Sequence, residues 1–211
     1  GQPMEEINYL LITLAAVIAI ASPGPATLAI SGMSMSQGRG HGLALAAGVL
    51  TGSFFWSFSA AFGLGALMYV NAWLIEAFRY FGACYLLYLA YKSVCSALNV
   101  KHAGEAGDST LGFKAAYLRG LLIHLSNPKA VLFFGSLYSL GLPNEINATS
   151  LLKVIFTVGL ISSCIFGGYA LLFSNPKIQD LYVKSQRVFE SVFAVFFGIA
   201  GAKILVSKLD S

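Results

Sequence analysis

Apolar positions along the chain come in six long runs, about 7–35, 42–70, 73–98, 117–140, 151–173 and 188–206, separated by short polar links. Each is long enough to cross a bilayer as a helix, which takes about 20 apolar residues. The expected architecture is therefore all-α: a polytopic membrane protein of six transmembrane helices, with no room for a soluble domain. The first and fourth runs are interrupted. Ser22-Pro23-Gly24-Pro25 lies inside the first. Pro23 and Pro25 lack the N–H that would bond back to the carbonyls of Ala19 and Ala21, and Gly24 has little helical preference. Asn127-Pro128-Lys129 interrupts the fourth run early. Backbone groups freed at membrane depth are tolerated where protein or a water-lined cavity satisfies them, so each break is a candidate binding site as well as a kink.

The second and fifth runs carry small residues at four-residue spacing, Ala44, Gly48 and Gly52 in one and Gly159, Ser163 and Gly167 in the other. Such stripes let helices approach closely, within one chain or across a homodimer. The longest polar link, Asn99 to Gly112, divides the chain into halves, 1–105 and 106–211, of one membrane domain. Each half has a proline-broken run, a striped run, and a third run that leaves through a lysine, Lys92 or Lys203. Three spans per half require the second half to be inserted upside down. The predicted fold is thus two inverted three-helix repeats with helices 1 and 4 broken, a pattern that points to a transporter site at the breaks.

Composition agrees: 57% of residues are hydrophobic, 10% are charged, and the mean hydropathy is +0.74. That balance belongs to a membrane protein. The net charge of +4 comes mainly from the links, without a basic stripe beside exposed aromatics, so a nucleic-acid partner is not expected. Links after runs one, three and five hold Arg39, Lys92, Lys101, Lys114, Arg119, Lys177, Lys184 and Arg187; the opposite side holds Arg79, Lys153, Lys203 and Lys208. By the positive-inside bias the first three links are cytoplasmic and both termini periplasmic. Glu5 and Glu6 precede the first run without a lysine or arginine, which argues against a cleaved signal peptide, and Gly1-Gln2-Pro3 ahead of Met4 reads as an expression remnant. Cys84, Cys95 and Cys164 read as small buried hydrophobes, Glu76 and Arg79 as an ion pair one helical turn apart, and Tyr85, Tyr88 and Tyr91 as interface anchors.

The breaks lie at similar depth. The first leaves about ten residues, ~15 Å of helix, to the cytoplasmic turn, and the second about seven, ~10 Å. Beyond Pro25 the chain runs inward and beyond Pro128 outward, so two half-helices present N-termini to one region. Their N–H groups and positive dipole ends suit a carboxylate, while the carbonyls that end the preceding half-helices, around Ile20, Ala21, Leu125 and Ser126, suit an ammonium. An amino acid satisfies both. The candidate substrate-binding residues are Ser22, Pro23, Gly24, Pro25, Ser126, Asn127, Pro128 and Lys129. Lys129 is the pointed one, since a cation in the first turn of a half-helix opposes the dipole unless an anion is shared there.

Ser22-Pro23-Gly24-Pro25, the turn Gly38-Arg39-Gly40-His41-Gly42, Gly48 and Gly52, then Asn127-Pro128-Lys129-Ala130 and Phe133-Phe134, together resemble the LysE/RhtB superfamily of bacterial amino-acid exporters over nearly the whole chain. The resemblance implies a secondary transporter in the bacterial inner membrane that exports an amino acid or derivative, driven by the proton gradient. It implies no enzyme activity, cofactor or metal. Distant relatives move reducing equivalents through paired cysteines in helices one and four, and this chain has none there. A divalent-metal exporter is the alternative, but it needs converging carboxylates, histidines or cysteines. The breaks offer Ser22, Ser126, Asn127 and His124 beside Lys129. His124 beside Ser126 is too slight for an intramembrane enzyme and is expected to be a hydrogen-bonded packing residue.

Overall fold

Asparagine and proline set where the helices begin. In the computed structural model, which describes residues 7–21, 24–70, 111–143 and 146–209 and scattered helical positions from 73 to 91, seven helices and no strand occur among the described residues. They are α1 (Tyr9–Ala21), α2 (Pro25–Gln37), α3 (Arg39–Val70), α4 (Phe113–Leu125), α5 (Pro128–Gly141), α6 (Ala148–Leu172) and α7 (Pro176–Leu209). Asn8 starts α1, its side-chain oxygen accepting from the Leu11 N–H at 3.0 Å. Asn147 starts α6 in the same way. The tripeptide Asn-Pro-Lys occurs twice, at 127–129 and 175–177, and each copy closes a helix start identically: the asparagine oxygen accepts from the lysine backbone N–H at 3.0 Å. Proline follows at the first helical position, where its missing N–H is no loss.

Both predicted breaks are present. α1 and α2 meet at a bend of 50°, and two residues, Ser126 and Asn127, separate α4 from α5. Ser22 and Pro23 lie outside the described residues, as do the Glu76–Arg79 pair, Tyr85, Lys92, Cys95 and the link from 99 to 110. The order broken helix, then long helix, occurs twice: α1 and α2 before α3, α4 and α5 before α6. By length and composition α3 and α6 can cross a membrane, and the bent pair α1 and α2 makes a third candidate span.

Three expectations change. The turn after α2 is one residue, Gly38, whose φ of 94° suits glycine, so α3 starts at Arg39. The link from Ser174 to Arg187 is helical from Pro176, because Asn175 and Pro176 start a helix there that runs unbroken for 34 residues. Cys84 and Cys164 are exposed thiols on the protein surface rather than buried ones.

The first stripe is used within the chain. α3 packs most extensively on α4. A Cβ built on Gly48 would overlap the Tyr117 carbonyl, and one on Gly120 would overlap the Leu45 carbonyl, so the two backbones touch. Gly159 of α6 faces the ring of Phe54, whereas Gly167 has open space. The core formed around this contact includes Ile12, Ile30, Leu45, Val49, Val154 and Ile155. Two buried hydrogen bonds tie its helices together: Tyr138 with Ser57 at 2.6 Å, and the Ser34 hydroxyl with the Ala170 carbonyl at 2.7 Å. Outward faces carry large apolar side chains such as Leu10, Phe55, Leu122, Leu160 and Ile199, as a lipid-facing surface does.

Candidate functional site at the two helix breaks

A cavity lies where the breaks meet. It is small, about 50 Å³, and opens to the outside. α1 contributes its last turn through Ala19 and Ile20, and α2 its first through Gly24, Pro25, Ala26 and Thr27. Ser53 comes from α3, His124 from the end of α4, and Phe166 from α6. The second break and α5 add Asn127, Lys129, Ala130, Phe133 and Phe134. Of the residues singled out from sequence, Gly24, Pro25, Asn127 and Lys129 share this wall.

Ser126 does not join them. It is exposed, and its hydroxyl bonds back to the Leu122 carbonyl at 2.7 Å, satisfying the end of α4. The two helix starts also differ. At α5, Pro128 has no N–H, the Lys129 N–H is taken by the Asn127 side chain, and the Ala130 N–H by the Asn127 carbonyl at 3.1 Å. Among the described residues no side chain caps α2, which begins behind Gly24 in an extended conformation. Of the two starts, that of α2 is the one better placed to receive an anion, while α5 brings the Lys129 charge. Among the carbonyls expected to suit an ammonium, that of Ala21 accepts from the Tyr169 hydroxyl at 2.9 Å.

His124 departs furthest from expectation. It is 6% exposed, and neither ring nitrogen has a hydrogen-bond partner among the described residues. Leaving a buried polar group unpaired costs about 1–3 kcal/mol, so its position calls for a physical reason. The ring is held apolar-side by Phe166, edge-on with centroids 6.3 Å apart. Gly52 gives it room, since a Cβ there would stand 3.1 Å from the His124 Cβ. The sequence does place His124 three residues before Asn127, on the face of α4 that leads into the break, but only the fold shows that nothing pairs with it among the described residues. Ser53 and Phe166 had no sequence signal beyond their nearness to the small-residue stripes.

A multi-helix membrane protein with an internal cavity at two paired helix breaks has the build of a translocator. The LysE type translocator family profile matches residues 17–208, and the chain belongs to that family. It is similar to the threonine efflux protein of Salmonella typhimurium, 25% identical over 202 residues that cover 95% of this chain and 98% of the relative. The threonine efflux protein of Escherichia coli K12 is 24% identical over the same extent. The leucine efflux protein of Salmonella choleraesuis is 34% identical over 132 residues, 63% of this chain and 62% of the relative. No solved structure matches.

Proposed function

We propose that this protein exports an amino acid across the bacterial inner membrane, exchanging it for protons, and that the cavity at the breaks is its substrate site. Six spans in two inverted repeats, 1–105 and 106–211, with both termini periplasmic, complete the reading. The observation that carries it is the convergence of the α2 start, a lysine and three phenylalanines on one cavity. The α2 start and Lys129 suit a carboxylate, and Phe133, Phe134 and Phe166 suit an uncharged side chain. Relatives named for threonine and leucine efflux support an amino-acid cargo. The metal-exporter alternative is not favoured, because a lysine in the wall repels a divalent cation and His124 is the sole lining residue of a metal-binding type among the described residues.

Wild-type protein in vesicles preloaded with labelled threonine or leucine should release label faster when a pH gradient is imposed. Lys129→Met should insert normally and lose substrate affinity, while Lys129→Arg, which keeps the charge but moves it, should transport weakly. Wild-type affinity in purified Lys129→Met would show that the lysine is only a membrane anchor and would overturn the carboxylate site.

A further inference from the structure

We infer that His124 is the group at which the ammonium of the transported amino acid and the exchanged proton compete. The inference rests on the reading of the cavity as an amino-acid site and deepens it, because it assigns the second half of a zwitterion and the coupling step to one side chain. Two independent features meet in this residue. It lines the cavity between the breaks, and it is a buried imidazole whose two nitrogens lack partners among the described residues. Gly52 and Phe166 hold its ring from α3 and α6, so it is positioned without being hydrogen-bonded.

The chemistry follows from what a neutral imidazole is. One nitrogen carries a lone pair that accepts from an ammonium; protonated, the ring has two donors, no acceptor, and a charge that repels the same ammonium. With the carboxylate at Lys129, an amino acid places its ammonium within the same small cavity. Binding to the protonated protein therefore expels the imidazolium proton to water at the cavity mouth, and proton return on the other side expels the substrate. No bond within the substrate changes. One proton moves for each zwitterion, so each cycle carries one positive charge inward.

The groups around His124 sharpen the competition. α1, α2, α3 and α6 contribute only uncharged residues to the cavity wall, among them Thr27, Ser53 and Phe166. Lys129 of α5 is the one other titratable side chain in the wall among the described residues. Like charges in one small cavity repel, so an imidazolium beside Lys129 forms where protons are most abundant, on the acidic, periplasmic side. The carboxylate of a bound substrate offsets that lysine, and the ammonium then takes over the repulsion.

The test uses the purified full chain in lipid nanodiscs with L-threonine and L-leucine as probes, from about pH 3.5 to 8. Wild-type affinity should fall toward the acid end, approaching tenfold per pH unit only below the pH at which His124 of the free protein takes its proton, and there about one proton should be released per amino acid bound, read by an indicator dye in weak buffer. His124→Gln should bind several-fold more weakly at pH 8, show no further loss at the acid end and release no proton. Should that variant fail to fold, a chain with His41→Asn and His102→Asn leaves His124 as the sole histidine. Its nitrogen NMR signals at acid pH must then move from imidazolium to imidazole on adding substrate. Wild-type affinity flat with pH, unchanged proton release in His124→Gln, or an imidazole signal that ignores substrate would each overturn the inference. If Lys129→Met loses binding while His124→Gln keeps the wild-type pH slope, the amino-acid site stands and this inference alone falls. Failure of the wild type to bind any amino acid would remove both.

Discussion

Asn127 has two jobs that one substitution can separate. Its side-chain oxygen caps α5 through the Lys129 N–H, and the residue also lines the cavity. Asn127→Ala should lower unfolding free energy by about 1 kcal/mol, the usual loss for a removed cap, measured by thermal melting in detergent. Asn127→Asp keeps the accepting oxygen and adds a charge that a helix start favours, so its stability should equal or exceed wild type. That same charge stands beside Lys129 where a substrate carboxylate is proposed, and binding should weaken by about tenfold, or about 1.4 kcal/mol. Asn175→Ala, in the second copy of the tripeptide and outside the cavity, should show the stability loss with unchanged binding. A binding loss of equal size at Asn175 would mean that caps, not cavity chemistry, control affinity.

Between elements the deciding quantity is how closely two backbones approach. Gly48 and Gly120 each place a would-be Cβ on a carbonyl of the facing helix, and backbone cannot give way as a side chain can. Gly48→Ala should destabilise by roughly 1–3 kcal/mol, the usual range for overpacking. Gly167→Ala meets open space and exchanges a poor helix former for the best, so it should be neutral or stabilising by up to about 1 kcal/mol. Opposite signs within two stripes of identical spacing would be read in melting temperatures; equal losses would refute the backbone contact between α3 and α4. The first break makes a complementary prediction. Replacing Pro23, Gly24 and Pro25 together by alanine should give a well-inserted protein with no efflux, because a straightened helix moves the α2 start away from the cavity. Retained efflux would reduce the break to a bend.

For the whole molecule the question is which end faces which compartment. Three segments expected on one side of the membrane do meet at one end of the structure: Gln37 accepts from the Leu111 N–H at 3.0 Å, the Arg39 Nε–H donates to the Ser174 hydroxyl at 2.8 Å, and His41 stacks on Phe113. The far end joins the start of α1 to the end of α5, Asn8 N–H to Gly141 carbonyl at 3.1 Å. Lysine and arginine cluster toward the first end, which we propose is cytoplasmic. In a background with the three cysteines replaced by serine, an impermeant thiol reagent applied to intact cells should label Thr149→Cys and spare Ser109→Cys. The reverse pattern would invert the orientation and, with it, the direction in which proton loading favours export.

What the sequence determined by itself is everything that depends on residues within a turn of one another. A proline inside an apolar run can only open a new helix, as at 25 and 128, and a four-residue spacing of small side chains makes a smooth stripe on any helix. The family resemblance rested on those same local motifs, and it held. Tertiary structure decided which partner each face meets. Each residue along a helix turns about 100°, so Ser126 points back onto α4 while His124, two positions earlier, looks into the cavity. Whether an imidazole is paired depends on residues distant in sequence, here Gly52 and Phe166, which touch the ring without offering it a hydrogen bond. The helix start at Asn127 looked open from sequence and is closed by its own side chain, because an asparagine before a proline reaches the next free N–H, a geometry fixed only once the backbone angles are set.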